Sequence, residues 1–453
     1  MSHLIEKYNV PGPRYTSYPT VPYWDLESFS RDQWLESVKE SFQISNQSEG
    51  ISIYIHLPFC ENLCTFCGCH KRITKRHEQE APYVDTLLAE WDLYCDLLED
   101  RPLIKELHLG GGTPTFFSTK ELQRLISGLF KRADRAHGYE YSFEGHPNNT
   151  TEEHLKCLYD LGFSRVSFGV QDYDPKVQLA IHRIQPYEAV KKVTELARAV
   201  GYYSVGHDLI YGLPLQTKNA ILNTVEKTLK LRPDRIALYS YAHVPWIKGN
   251  GQRGFSEEDL PSADEKRMLY ELAKNALLSA GYIEIGMDHF AVESDSLYRA
   301  TLEGTLHRNF MGYTQSKTRL MIGLGMSSIS DSWTSFAQNE KDLETYTELV
   351  QKGVIPVVKG HHLNQEDLII RKHILNLMTQ FETNWDSNQG MFPELEDCLK
   401  SLKTFEEDEL LKVHDHSIEV FEKGKPFIRN ICMAFDLKLL RTAPDRELFS
   451  MTI

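Results

Sequence analysis

Six times between residues 51 and 241 the chain passes through a short run with strand character. These runs are Ile51–Leu57, Ile104–Leu109, Glu140–Gly145, Arg165–Val170, Ser204–Tyr211 and Arg235–Tyr241. Ile51-Ser52-Ile53-Tyr54-Ile55-His56-Leu57 alternates apolar and polar residues, as a strand with two unlike faces does. The segments Tyr83–Leu98, Lys120–Arg132, Thr151–Leu161, Tyr187–Val200 and Ala220–Leu231 instead repeat apolar residues at spacings of three and four, the period of a half-buried helix. Strand followed by helix, repeated, demands crossover connections and therefore a parallel sheet. Six units fall short of a closed eight-unit barrel, so the expected class is α/β with a partial (β/α)6 barrel. Lys266–Ser279 reads as a further helix and Tyr282–Met287 as an edge strand.

Two regions break the repeat. Residues 1–49 form an N-terminal extension that carries the turn-rich, irregular stretch Pro11 to Thr20. Residues 50–355 hold the repeat itself. Residues 356–453 are mainly helical, with Gln365–Gln380 and Phe392–Thr404, a small hairpin within Leu411–Phe427 and a last helix at Ile428–Leu440. That order suits a winged-helix-like domain.

A length of 453 residues suggests two domains plus an extension. The net charge of −14 argues against a nucleic-acid surface. An anionic substrate would therefore have to be met by a local cluster of Arg, Lys and backbone N–H groups. No run of apolar residues is long enough to span a membrane, and the first residues lack a signal-peptide pattern. Eight cysteines without an export signal point to a reducing compartment, so a cytoplasmic protein is expected.

Half of those cysteines lie between Cys60 and Cys69. Cys60-Glu61-Asn62-Leu63-Cys64-Thr65-Phe66-Cys67 lets one loop deliver three thiolates to one centre. Soft thiolates favour zinc or iron–sulfur centres. Three cysteines on a [4Fe–4S] cluster leave one iron open, whereas structural zinc wants four ligands, and Cys69 could be the fourth. Cys67 and Cys69 are separated by Gly68 alone, and both thiolates on one tetrahedral ion would be crowded, so Cys69 is read as a neighbour. Tyr54 and His56 share the strand face that points toward this loop.

Leu107-His108-Leu109-Gly110-Gly111-Gly112-Thr113-Pro114 closes the second strand with three glycines, which let backbone approach a ligand closely. It lacks the ending of a phosphate loop. Glu144, Gln171 and Asp208 stand at the ends of strands three, four and five, where parallel α/β folds bind ligands.

Together these stretches resemble the coproporphyrinogen oxidase branch of the radical S-adenosylmethionine (SAM) superfamily. The resemblance rests on PGPRYTSYPT from Pro11, YIHLPFCENLCTFCGC from Tyr54, GGGTPT from Gly110, SFGVQD from Ser167 and DLIYGLP from Asp208. It continues through YAHVP from Tyr241, GMDHF from Gly286, HRNFMGYT from His307 and RNICMAFD from Arg429. It implies a radical SAM barrel in which Cys60, Cys64 and Cys67 bind a [4Fe–4S] cluster capped by SAM. Two SAM molecules are implied. Tyr54, Gly111, Glu144 and Ile329 would contact the first; Phe66, Gly112, Thr113, Gln171, Arg183, Asp208 and Ala242 would contact the second. One departure is plain: Glu144 is followed by Gly145-His146-Pro147, where the family has an apolar residue, an acid or Asn, and Pro.

The implied reaction is oxidative decarboxylation of two propionates of coproporphyrinogen III, giving protoporphyrinogen IX in haem biosynthesis. A 5′-deoxyadenosyl radical would take a β-hydrogen, carbon dioxide would leave, and one electron would pass to an acceptor. An unidentified electron donor and acceptor are implied as partners, and a monomer is expected. The alternatives are a radical SAM haem chaperone and a haem-opening methyltransferase. A further expectation sets Arg14 or the neighbouring tyrosines over the substrate mouth.

Overall fold

The computed structural model describes residues 2–246, 251–252, 254–385, 390–442, 444 and 447–452. The strands of its main sheet are β1 (Ile51–Leu57), β2 (Leu103–Gly111), β3 (Asp134–Gly145), β4 (Phe163–Gln171), β5 (Ser204–Tyr211), β6 (Arg235–Ser240), β7 (Ile283–Glu284) and β8 (His289–Ala291). They continue with β9 (Met321–Leu324), β10 (Ile329–Asp331), β11 (Ser335–Asn339) and β12 (Val357–His362). Among the described residues the order is β12-β11-β10-β9-β1-β2-β3-β4-β5-β6-β8-β7. β1 to β6 are all parallel and lie side by side in chain order, as the strand–helix repeat predicts. Helices Glu80–Leu97, Thr119–Arg132, Glu152–Asp160, Tyr187–Val200 and Lys218–Leu231 make the crossovers. Their ends follow local chemistry. Thr217 accepts from Ala220 N to start one helix, and Gly201, at φ +118°, closes the one before it.

The alternation in β1 has a physical meaning that the pattern alone leaves open. Ile51, Ile53, Ile55 and Leu57 pack under the helices with Leu107, Tyr141 and Val166. Ser52, Tyr54 and His56 turn the other way, into an interior that also receives Glu106, Glu140 and Arg165. Both faces are buried. The polar residues therefore line an enclosed lumen rather than water, and each charge needs a partner. Arg165 Nε meets Glu140 at 3.1 Å, and Arg235 Nε meets Asp295 at 2.7 Å. Burial alone would raise the Glu140 carboxyl, but Arg165 and Arg235 outweigh it and hold it at about 2.

Strands β9 to β12 have no counterpart in the sequence pattern. β9 pairs in parallel with the free side of β1, and β10 to β12 follow antiparallel. The sheet thus runs past residue 355. At the other edge, the expected strand Tyr282–Met287 shrinks to β7, and β8 intervenes between it and β6.

In the N-terminal region Pro11 to Thr20 is irregular as expected, but helices Ser2–Tyr8 and Arg31–Ser45 flank it. The second is capped by Ser30 and buries Trp34, Val38 and Phe42 on one stripe. Near the C-terminus, helices Gln365–Gln380 and Leu395–Glu407 pack with a three-stranded sheet ordered Glu382–Asn384, Ser417–Val420, Leu411–Val413. The expected last helix is split into Ile428–Met433 and Leu437–Arg441, because the Asp436 side chain caps a new helix by accepting from Leu439 N. Tyr15 and Tyr18 belong to this C-terminal core, with the Tyr15 hydroxyl 3.0 Å from Asp436. They are not at the barrel mouth; Arg14 is, donating to Ser240 O at 2.7 Å.

Glu90 joins the first crossover helix to the new strands. It is fully buried and accepts from Gly325 N (2.8 Å), Asn339 Nδ2 (2.6 Å) and the Tyr346 hydroxyl (2.6 Å). Burial nevertheless pushes its carboxyl from 4.5 up to about 7. The folded chain therefore holds this proton after the unfolded chain has released it. Stability falls as pH rises from 4.5 through 7, by about 3 kcal/mol. Urea unfolding of Glu90→Gln should lack this part of the decline, and an unchanged pH slope would contradict it.

Candidate active site

The cysteine loop is pinned at both ends. β1 leads through Pro58 into Phe59–Cys60, which pairs in parallel with Arg72–Ile73. Arg72 N donates to Pro58 O at 2.8 Å and Thr74 N to Cys60 O at 2.9 Å. In the middle, buried Thr65 donates its N–H to Ile181 O and its hydroxyl to Ala180 O, both at 3.0 Å. The loop thereby presents Cys60, Cys64 and Cys67 to one cavity of about 1000 Å³, shared with Phe66, Gly112 and Thr113. Among the described residues no three His, Cys, Asp or Glu side chains converge as ligands of a single ion. The three thiols ring a space instead.

The surroundings of these sulfurs are cationic. Arg183 Nη1 lies 3.7 Å from Cys64 Sγ, and Lys71 Nζ donates to Cys67 O at 3.1 Å. Burial pushes the Cys60 thiol up to about 11. A hydrogen bond from Cys69 pulls the Cys67 thiol down to about 6, with Lys71 and Arg183 assisting against burial. Cys69 itself is free and exposed.

The glycine turn packs directly against this loop. Gly112 N donates to Leu57 O at 2.8 Å and Thr113 N to Phe59 O at 3.0 Å. A Cβ on Gly112 would stand 2.6 Å from the Pro58 carbonyl, and one on Gly111, at φ +109°, 2.7 Å from the His56 ring. Only glycine permits this approach. Three soft thiols around a roomy cavity, with an adjacent turn free of side chains, fit a cluster whose last iron is left for another ligand.

The lumen side gathers the first expected group. The Tyr54 hydroxyl lies 3.1 Å from His56 Nδ1, and His56 Nε2 lies 2.8 Å from His70 O, so the ring donates from Nε2 and accepts at Nδ1. Burial lowers the His56 pKa, which keeps the imidazole neutral. Glu144 stands 3.4 Å from His108 Nε2, and His108 stacks on Tyr54. Gly323 is in register with Tyr54, and the Ile329 carbonyl would lie 2.5 Å from a Cβ there, so Ile329 stands one strand beyond Tyr54's neighbour β9.

Of the second group, Phe66, Gly112, Thr113 and Arg183 share the cysteine cavity. Asp208 lines the lumen with Glu144 and accepts from Ser167 Oγ at 2.8 Å; burial raises its carboxyl to about 6. Gln171 ends β4 at φ +66°, and Arg183 donates to Gly169 O at 2.7 Å beside it. Ala242 is tied to Phe66 by a residue the sequence reading passed over. Buried Gln252 donates to both carbonyls at 3.0 Å. It sits in a Gly-rich stretch without periodicity, so no pattern marks it. The Gly145-His146 departure is accommodated by Phe168, whose ring would lie 2.8 Å from a Cβ on Gly145, while His146 lines the cysteine cavity.

The family model of the radical SAM superfamily matches residues 54–228. Over 446 residues the chain is 39% identical to the oxygen-independent coproporphyrinogen III oxidase of Helicobacter pylori strain 26695, covering 96% of each. Against the Escherichia coli K12 oxidase it is 37% identical over 457 residues, covering 99% of this chain and 98% of the other. The chain belongs to the oxygen-independent coproporphyrinogen III oxidases. A solved structure of the Escherichia coli coproporphyrinogen III oxidase, described as a radical SAM enzyme, superposes with a TM-score of 0.88 at 35% identity, covering 96% of this chain and 98% of that one. Membership in this oxidase family confirms the partial barrel fold and implies a [4Fe–4S] cluster and SAM as cofactors. None of the described helices is long and apolar enough to cross a membrane.

Gly112→Ala should separate packing from chemistry. The added methyl meets the Pro58 carbonyl, an overpacking that costs about 1–3 kcal/mol. The variant should melt lower and bind less iron per chain after anaerobic reconstitution; full iron loading would show that the turn does not support the cysteine loop.

Proposed function

We propose that this chain oxidatively decarboxylates two propionates of coproporphyrinogen III without oxygen, yielding protoporphyrinogen IX. One observation carries the reading: three pinned thiols ring a single cavity beside a side-chain-free turn, in a chain collinear with such oxidases over nearly its full length. The β C–H bond of a propionate is unactivated, so no side-chain base could break it in water. The cofactors, when bound, supply the one-electron chemistry for that step.

The chain's own contribution is binding, orientation and exclusion of water. Cys60, Cys64 and Cys67 hold the cluster as thiolates. Arg183 and Lys71 set positive charge beside those sulfurs, and at Cys67 this favours the thiolate. Tyr54, Gly111, Glu144 and Ile329 hold one SAM, and Phe66, Gly112, Thr113, Gln171, Arg183, Asp208 and Ala242 hold a second. Neutral His56, locked between Tyr54 and His70 O, fixes the strand face from which Tyr54 works. In this scheme residues 1–49 act as an arm, the catalytic unit runs from residue 50 through β12, and the mainly helical unit follows it.

Anaerobic incubation with reductant, SAM and coproporphyrinogen III should give a product lighter by two carbon dioxide molecules and four hydrogens. Tight haem binding without turnover would replace this reading with the haem chaperone. Cys64→Ala should lose cluster absorbance together with turnover, and normal turnover in that variant would overturn the ligand assignment.

A further inference from the structure

Where β5 and β6 end, a second and much smaller cavity of about 40 Å³ opens, lined by Arg14, Arg267, Lys425 and Arg429. It shares no lining residue with the cysteine cavity. Its wall residues Ser240 and Asp288 directly adjoin Tyr239 and His289, which line the lumen. The cavity therefore adjoins the lumen at the ends of β5 and β6.

Positive charge outweighs acid here: Lys425 pairs with Glu422 and Arg267 with Glu271, whereas among the described residues the hydrogen bonds of Arg14 and Arg429 run only to carbonyls. Arg429 is 4% exposed, and its hydrogen bonds run to the main-chain carbonyls of Gly12, Pro13, Met451 and Thr452. Arg14 donates to another carbonyl, that of Ser240. Arg267 is 7% exposed; one end pairs with Glu271, but its Nε is buried with no hydrogen-bond partner. The two acids in the wall are already engaged, Glu284 by Tyr270 and Lys274, and Asp288 by His289. The crowding registers on the neighbours. Burial and then Arg14 push Arg429 down to about 9, and the same two causes bring Lys266 down to about 7. Buried cations of this kind are costly until an anion joins them. The chain as a whole carries a net charge of −14, so this concentration is local.

We propose that this cavity is a carboxylate subsite, in which Arg14 and Arg267 grip one propionate of the porphyrinogen. The proposal rests on the function proposed above and names where that substrate is held. The volume is close to that of one water, about 30 Å³, so it admits a carboxylate end and leaves the tetrapyrrole outside in the mouth. A guanidinium fork suits a carboxylate because it offers two parallel donors. Arg14 arrives on the N-terminal arm, so the arm completes the site. SAM also carries a carboxylate, but this cavity shares no lining residue with the cysteine cavity, and the propionate is the occupant we assign.

The test uses the reconstituted enzyme under anaerobic conditions with coproporphyrin III, the stable porphyrin bearing the same side chains, and its tetramethyl ester, which has no free carboxylate. Binding is read by porphyrin fluorescence, and SAM binding is measured in parallel. Arg14→Met and Arg267→Met should each weaken coproporphyrin III by about tenfold, or about 1.4 kcal/mol, while ester and SAM affinities stay at parent values. Arg267→Lys should recover part of the loss. Unmoved coproporphyrin III affinity in a parent that still decarboxylates overturns the subsite alone. So does a loss confined to SAM, which would make the methionine carboxylate the occupant, or an equal loss of acid and ester with a lower Tm, which would make the role structural. A parent that neither binds coproporphyrin III nor releases carbon dioxide overturns the function beneath it.

Discussion

The polar lining of the barrel constrains everything built on it. Every second residue of the parallel strands points into a space closed by helices outside and by side chains within, so charges there cannot borrow water. Glu140 answers with Arg165, and Arg235 with Asp295. Gln315 adds a donor to Glu140 at 2.8 Å. These pairs stand at the N-terminal end of the strands, where they fix the spacing of neighbours in the arc. The C-terminal ends are left to Tyr54, Glu144 and Asp208, whose polar groups are only partly engaged. The lumen thus divides into a satisfied floor and an open rim, and ligands meet the rim.

The cysteine loop extends the same logic outward. Its three thiols have no periodic element of their own, so their placement depends on main-chain bonds at the loop's two ends and on Thr65 in its middle. The glycine turn then packs on it closely enough that any side chain would part them. Rigidity at the strand end is passed to Cys64 and Cys67, which lie in neither strand nor helix. That is how a loop can hold a geometry that chemistry requires.

The six strand–helix units were legible because alternation survives when polar residues face a lumen instead of solvent. The pattern could not say which it was, since both give the same period. Strands β9 to β12 were not legible. They are three to six residues long and rich in Gly and Ser, too short for a period to show. Ile329 was named through family resemblance alone, and its place, next to Gly323 on the strand that pairs with Tyr54's, depends on strands the pattern did not contain. Gln252 and Thr65 escaped because single polar residues that bond main-chain carbonyls leave no periodic trace. Tyr15 and Tyr18 misled for another reason: a tyrosine beside prolines looks exposed in sequence, yet here each is buried in the C-terminal core.

Both ends of the chain meet at the mouth. Thr452 N bonds Val10 O, Gly12 N bonds Ser450 O, and one guanidinium, that of Arg429, clasps carbonyls from either end. Arg429 and Gly12 are 417 positions apart in sequence. During synthesis the arm emerges long before the residues that hold it. The barrel strands lie between the two joined segments in sequence, so the entrance takes its final form only when that distant join is made. The loop-closure entropy of that join grows only slowly with its span, which lets so distant a clasp hold.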